Sequence, residues 1–274
     1  MIRLVQRALV YGRRPPWEYM PEKWRTIDAR IKGWNVPSIV ETQTKKWLAY
    51  VESLKGTRPL GINHEAAVNT NSTDIQAHNT LIVYAYVLAL AAQQKRRITL
   101  LDWGGGMGHY YVLSKVVLPR VEIDYYCQDL PLLCQAGRGV LPEVHFWDEQ
   151  NACFGQQYDL VLASSSLWYV EDWRSVVSKL VACTREYLYL TRMLFVGKVP
   201  SFVVVQRPWA VGYRTEYLCW VFNRQEVVNY VVALGMELVR EFLLSEGPHI
   251  HRAPEQGDFR GFLFRKPQPA GGRA

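Results

Sequence analysis

The stretch "LDWGGGMGHYY" (residues 101–111) puts four glycines into the five positions 104–108, directly after an apolar pair and an acid. Glycine at that density weakens any regular element. Something must therefore approach the backbone so closely that side chains had to be removed. The preceding "ITLLDW" (98–103) has the apolar run of a buried strand, and residues 108–117 have helical spacing. Strand, glycine turn and helix together open a β–α–β unit.

The same rhythm extends to both sides. A helix over 75–95, with Ser72, Thr73 or Asp74 as its cap, precedes the first strand. Further strands are expected at "EIDYYCQD" (122–129), "EVHFWD" (143–148), "YDLVLASS" (158–165) and "EYLYLTRM" (186–193), with helices over 130–138 and 172–182. A helix over 224–235 leads to strands 237–246 and 259–266, which have no helix between them and so predict an antiparallel hairpin. The expected fold class is α/β: a mostly parallel seven-stranded sheet over 75–266, with helices on both faces and an antiparallel C-terminal hairpin. Residues 1–74 read as a Trp-rich helical or irregular extension that is a lid candidate, 194–222 as an aromatic insertion expected to form the acceptor site, and 267–274 as a flexible Pro/Gly-rich tail.

Bulk properties narrow the function classes. Hydrophobic residues make up 49%, which supports a packed core rather than disorder. The longest apolar run, "LIVYAYVLALAA" (81–92), is too short to span a bilayer and reads as a buried helix. Arg3 and Arg7 interrupt the first apolar stretch, which argues against a signal peptide and for a cytoplasmic protein. The first dozen residues could instead form a short basic amphipathic helix of the kind that touches a membrane surface or a partner. Five cysteines without a CxxC pair argue against a disulfide framework and a structural zinc site. The net charge of +7 is scattered in pairs and triplets, so nucleic acid is a poor candidate partner and a solvated basic surface a better one.

The glycines and their acid spell D-x-G-x-G-x-G, from Asp102 through Gly104, Gly106 and Gly108, with Gly105 extra. The dinucleotide spacing G-x-G-x-x-G fails, because the third position counted from Gly104 is His109 and the middle one counted from Gly105 is Met107. No Lys follows the glycines, so the phosphate-loop pattern fails too. A D-x-G-x-G-x-G turn after a strand resembles the S-adenosylmethionine site of the class I methyltransferases, over roughly residues 75–265. The wording "LDWGGGMGHYY … YCQDLP … YDLVLASSSLWYVEDW" further resembles a bacterial group of methyltransferases associated with surface-polysaccharide genes. The resemblance implies a Rossmann-like fold, S-adenosyl-L-methionine as cofactor and methyl transfer to a sugar, glycoconjugate or small-molecule hydroxyl.

It also implies roles for particular residues. Asp129, with Leu130 beside it, stands about twenty residues past the glycines, where an acid would accept the ribose hydroxyls. Asp148 would hold the adenine amine, with the Trp147 ring packed on the base. Ser164 and the residues after it would border the methionine part and the acceptor. Tyr110, Tyr111, Trp168 and Tyr169 are the aromatic faces available to a sulfonium. A hydroxyl acceptor calls for a base. Glu171 stands where plant-type O-methyltransferases carry a His, and His249 and His251 alternate on one face of a short segment; these three are the catalytic candidates. His64 and His78 flank the polar loop before the domain. No third ligand joins the histidines, so no metal is expected.

Overall fold

In the computed structural model, residues 14–22, 24, 30–60, 74–149 and 151–267 are described. The basic N-terminal segment, His64 and the tail beyond 267 lie outside them. Helix α1 (Pro37–Ser53) opens on a proline, whose missing N–H matters least in a first turn. Helix α2 (Ile75–Ala91) is capped by Asp74, whose carboxylate accepts the Ala77 N–H at 3.0 Å. It is apolar nearly all round and buries Leu81, Tyr84, Val87 and Leu88. Among the described residues, no helix is long and apolar enough to cross a membrane.

Strand β2 (Arg97–Trp103) lies at the centre of the parallel region. Helix α3 (His109–Val117), β3 (Glu122–Gln128), α4 (Pro131–Val140), β4 (His145–Trp147) and β5 (Tyr158–Ser164) follow, then α5 (Trp173–Ala182) and β6 (Thr184–Val196). The parallel order is β4-β3-β2-β5-β6. The chain leaves β2 toward β3 on one side and returns to pair β5 on the other. This reversal opens a crevice beyond the tips of β2 and β5. Strands β9 (Glu237–Glu246) and β10 (Asp258–Arg265) form the expected hairpin, with β10 antiparallel to β6.

The sheet is larger than the expected seven strands. Among the described residues it has ten, because the segment read as an insertion forms β7 (Phe202–Gln206) and β8 (Tyr217–Asn223), and the N-terminal extension supplies β1 (Trp17–Met20). These three pair antiparallel in the order β1-β7-β8, and β8 joins β6 through Phe195↔Phe222 and Val196↔Asn223. A buried ion cluster fastens the N-terminal strand. Arg207 bonds Glu18 at 2.8 Å and Glu216 at 3.1 Å, and donates to the Pro15 carbonyl at 2.8 Å.

Two apolar layers cover the two faces of the sheet. α5 and α6 (Arg224–Ala233) pack one face through Trp173, Val177, Leu180 and Val227. α1, α2, α3 and α4 pack the other through Ile39, Tyr50, Tyr84, Leu113 and Leu133. All five cysteines are buried in these layers as free thiols.

Candidate functional site

The glycine turn sits at the crevice, and its geometry explains its composition. A β-carbon on Gly104 would lie 2.2 Å from the Ser166 Cβ, and one on Gly105 would lie 2.4 Å from the Asp102 carboxylate. Gly104, Gly106 and Gly108 all have positive φ, at 75°, 62° and 89°. Gly108 also lies against Leu141 and Phe146, so its role is to let α3 close onto the sheet. The Gly104 N–H donates to the Gln128 carbonyl at 2.7 Å, which ties the turn to the end of β3.

Acidic groups surround the turn. Asp102 is fully buried, and Tyr125 donates its hydroxyl to it. Burial pushes the Asp102 carboxyl up to about 7; the Tyr125 hydrogen bond pulls the other way. Asp129 accepts the Gly106 and Leu130 N–H groups, each at 2.6 Å. Burial pushes its carboxyl up to about 6 against those two bonds. Two of its lone-pair positions are left for a ligand.

These groups border a cavity of about 640 Å³. Gly104, Gly105, Gly106, Asp129, Leu130, Asp148 and Ser164 all line it. Asp148 is half-exposed and bonds Arg138 at 3.0 Å, which holds its carboxyl below the usual range. Ser164 shares a hydrogen bond of 2.8 Å with Tyr110. The far wall is aromatic: Trp24, Trp34, Tyr169 and Tyr217. Trp34 stacks on Tyr217 with ring centres 4.8 Å apart and meets the edges of Tyr169 and Tyr213.

Other sequence candidates fall elsewhere. Trp147 is not among the lining residues. Its ring packs on Tyr126 at 5.2 Å, because alternation along β4 turns it to the same face as His145. Leu130 and Leu133 supply the apolar side chains at that end of the cavity. Glu171 is exposed and outside the cavity wall, which is met there by Val170. Its neighbour Asp172 caps α5 by accepting the Ser175 N–H. His249 is exposed, and the His251 backbone pairs with Trp17 and Tyr19 of the N-terminal strand. Neither histidine lines the cavity. Tyr111 packs on Tyr125, and Trp168 is buried in the core, whereas Tyr110 and Tyr169 reach the cavity. The His78 ring accepts the Leu60 N–H.

The structure brings further residues to the cavity. His109 lines the cavity, and burial, then the charges of Arg192 and Lys46, push its imidazole down to about 3, so it is neutral. Arg192 lies in β6 where the register with β10 slips by one residue, and its φ is +58°. That bulge re-aims the guanidinium into the cavity wall beside Tyr110. Ser165, also lining, has φ +55°. Both left-handed residues, one just past the end of β5 and one inside β6, line the cavity. A lone arginine at the end of an apolar strand was the visible signal. Gln43 of α1 completes the set, and its signal was a glutamine on the buried stripe with Ile39, Trp47 and Tyr50.

Solved structures share the fold. A magnesium protoporphyrin IX methyltransferase from Synechocystis PCC 6803, solved with S-adenosylmethionine bound, superposes with a TM-score of 0.51 at 13% identity, over 86% of this chain and 100% of that one. A 1,6-didemethyltoxoflavin-N1-methyltransferase from Burkholderia thailandensis, solved with bound 1,6-didemethyltoxoflavin and S-adenosylhomocysteine, gives 0.50 at 13% identity, over 89% and 98%. The chain has the class I methyltransferase fold. No protein-family model and no curated protein matches the sequence itself.

Proposed function

We propose that this chain is an S-adenosyl-L-methionine-dependent methyltransferase. The observation that carries the reading is the side-chain-free cradle at Gly104–Gly106, set at the sheet's reversal point between Asp129 and Ser166, where a β-carbon on Gly104 or Gly105 would collide with its neighbours and Gly106 holds a positive φ. The residues fit the cofactor. Asp129 would accept the ribose hydroxyls, Asp148 would take the exocyclic amine, and Leu130 and Leu133 would pack on the base. Asp102 would support the turn from beneath. When bound, the cofactor supplies an activated methyl group on a sulfonium.

The chain's contribution is then alignment and exclusion of water. In-line displacement gains most from fixed geometry, and charge is lost from sulfur as the new bond forms, so a dry aromatic cavity favours it. Tyr110 and Tyr169 supply aromatic faces, and Ser164–Ser166 supply hydroxyls beside the acceptor wall. The first choice of acceptor is the hydroxyl of a sugar or glycoconjugate in the cytoplasm, the second a small natural product. The Trp24, Trp34 and Tyr217 wall supports either, since flat rings pack on both.

The test is calorimetry on folded protein with S-adenosylhomocysteine and S-adenosylmethionine, with NADH as control. Heat with the first two and none with NADH is expected. No heat with either sulfur nucleoside overturns the reading. A binding protein without turnover is the second reading, favoured by one observation: Glu171, His249 and His251 all lie outside the cavity wall. Binding without transfer of labelled methyl to any acceptor in a broad screen would support it.

A further inference from the structure

Helix α1 contributes a group that the glycine motif does not account for. Gln43 is 2% exposed, and its carbonyl Oε1 has no hydrogen-bond partner. A buried acceptor left unpaired is costly, so it calls for an explanation. One hydrogen bond sets its aim. The Nε2 group donates to the Tyr213 hydroxyl at 3.4 Å, which turns Oε1 the other way. Oε1 then faces the turn, 3.4 Å from where a β-carbon on Gly106 would sit. The helix is itself locked onto the turn, since Tyr50 donates to the His109 carbonyl at 3.1 Å.

Gln43 also marks the junction of the cavity's two ends. On one side lies Gly106, bonded to Asp129; on the other lies Tyr213, whose ring meets Trp34 of the aromatic wall. Under the methyltransferase reading, on which this inference rests, the base and ribose occupy the Asp148 and Asp129 side. The amino-acid end of the nucleoside must then cross the glycine turn toward the acceptor. It carries an ammonium group, which donates three hydrogen bonds and accepts none. We propose that Gln43 holds the ammonium of the cofactor's amino-acid end, so that α1 of the N-terminal extension is part of the cofactor site.

Two nucleosides separate this contact from simple packing. S-adenosylhomocysteine carries the amino-acid end and 5′-methylthioadenosine lacks it. Gln43→Met keeps length and apolar packing but removes the acceptor; Gln43→Glu keeps an acceptor. Calorimetry is expected to show Gln43→Met binding S-adenosylhomocysteine about 10- to 100-fold more weakly, the range of a hydrogen bond to a charged group, with 5′-methylthioadenosine unchanged. Gln43→Glu is expected to keep the preference for S-adenosylhomocysteine. Equal losses for both nucleosides in Gln43→Met, or no loss for either, overturn the inference, as does loss of the preference in Gln43→Glu. Wild-type protein that binds neither nucleoside removes the methyltransferase reading, and this inference with it.

Discussion

The two ends of the cavity are built in opposite ways. The glycine end comes from one short stretch, residues 102–108, tied to the ends of β3 and β5 through Gln128, Asp129 and Ser166. The aromatic end is assembled from pieces far apart in the chain: Trp24 and Trp34 from the extension, Tyr169 after β5, and Tyr217 at the start of β8. The first end is rigid because its backbone is packed against the Ser166, Asp102 and Cys127 side chains, with no room for a β-carbon at Gly104 or Gly105. The second is held by ring contacts and by the Arg207 cluster that fastens β1 to its neighbours. A scaffold of this kind keeps one ligand constant and lets the other vary, since the distant segments can change without disturbing the turn.

The largest effect is expected at the rigid end. Gly104→Ala puts a β-carbon 2.2 Å from Ser166 at a φ of +75°. Both overpacking and left-handed backbone strain penalise it, by about 2–5 kcal/mol together. Chemical denaturation should show that loss, and calorimetry should show no heat with S-adenosylhomocysteine. A variant that binds normally would mean the turn is not the nucleoside seat. At the assembled end, Trp34→Ala should behave differently. It removes a ring stacked on Tyr217, yet it touches neither the glycines nor Asp129. S-adenosylhomocysteine affinity should stay within about threefold, while KM for whichever acceptor a screen returns should rise about tenfold or more, in line with losing one aromatic contact. Equal damage to both would erase the distinction between the two ends.

The same contrast governs what could be read from the chain. The glycine seat was legible because its parts are contiguous, and because strand, turn and helix periodicities change there. The C-terminal hairpin was legible from the missing helix between its strands. Trp147 was not, because neighbours in sequence point to opposite faces of a strand, and the acid Asp148 reaches the cavity while the ring before it does not. Strands β1, β7 and β8 were hidden for another reason: pairing such as Trp17↔Gln206 joins segments whose separation leaves no local mark. Gln43 and Arg192 were visible only as polar residues on apolar faces, a signal shared by ordinary buried hydrogen bonds.

A smaller effect is expected from pH. Asp102 and Asp129 are pushed by burial up to about 7 and about 6, above their unfolded values. The folded protein therefore holds more protons than the unfolded chain between about pH 4 and pH 7, and these two groups make stability fall as pH rises through that window, by at most about 1.4 kcal/mol per pH unit for each. Below the unfolded values the contribution is fully present; above about pH 7 it is gone. Urea denaturation across pH 4–8 should show Asp102→Asn, which keeps an acceptor for Tyr125, with a shallower fall than wild type. An unchanged slope would mean that Asp102 is ionised throughout.

The smallest effect is expected where sequence alone placed a base. Glu171 is exposed, its side chain lies outside the cavity wall, and the structural work at this corner is done by Asp172 at the start of α5. Its own carbonyl accepts the Trp220 indole N–H, a bond that any side chain at 171 permits. Glu171→Gln should therefore leave stability within about 0.5 kcal/mol, as surface substitutions usually do. The pH profile and rate of methyl transfer should be those of wild type. A general base contributes about 10²- to 10⁴-fold, so a role for Glu171 could not be missed. A collapse in rate with unchanged S-adenosylhomocysteine affinity would mean that the segment 170–172 swings into the cavity when the acceptor binds, and that the aromatic end is mobile rather than merely assembled from distant parts.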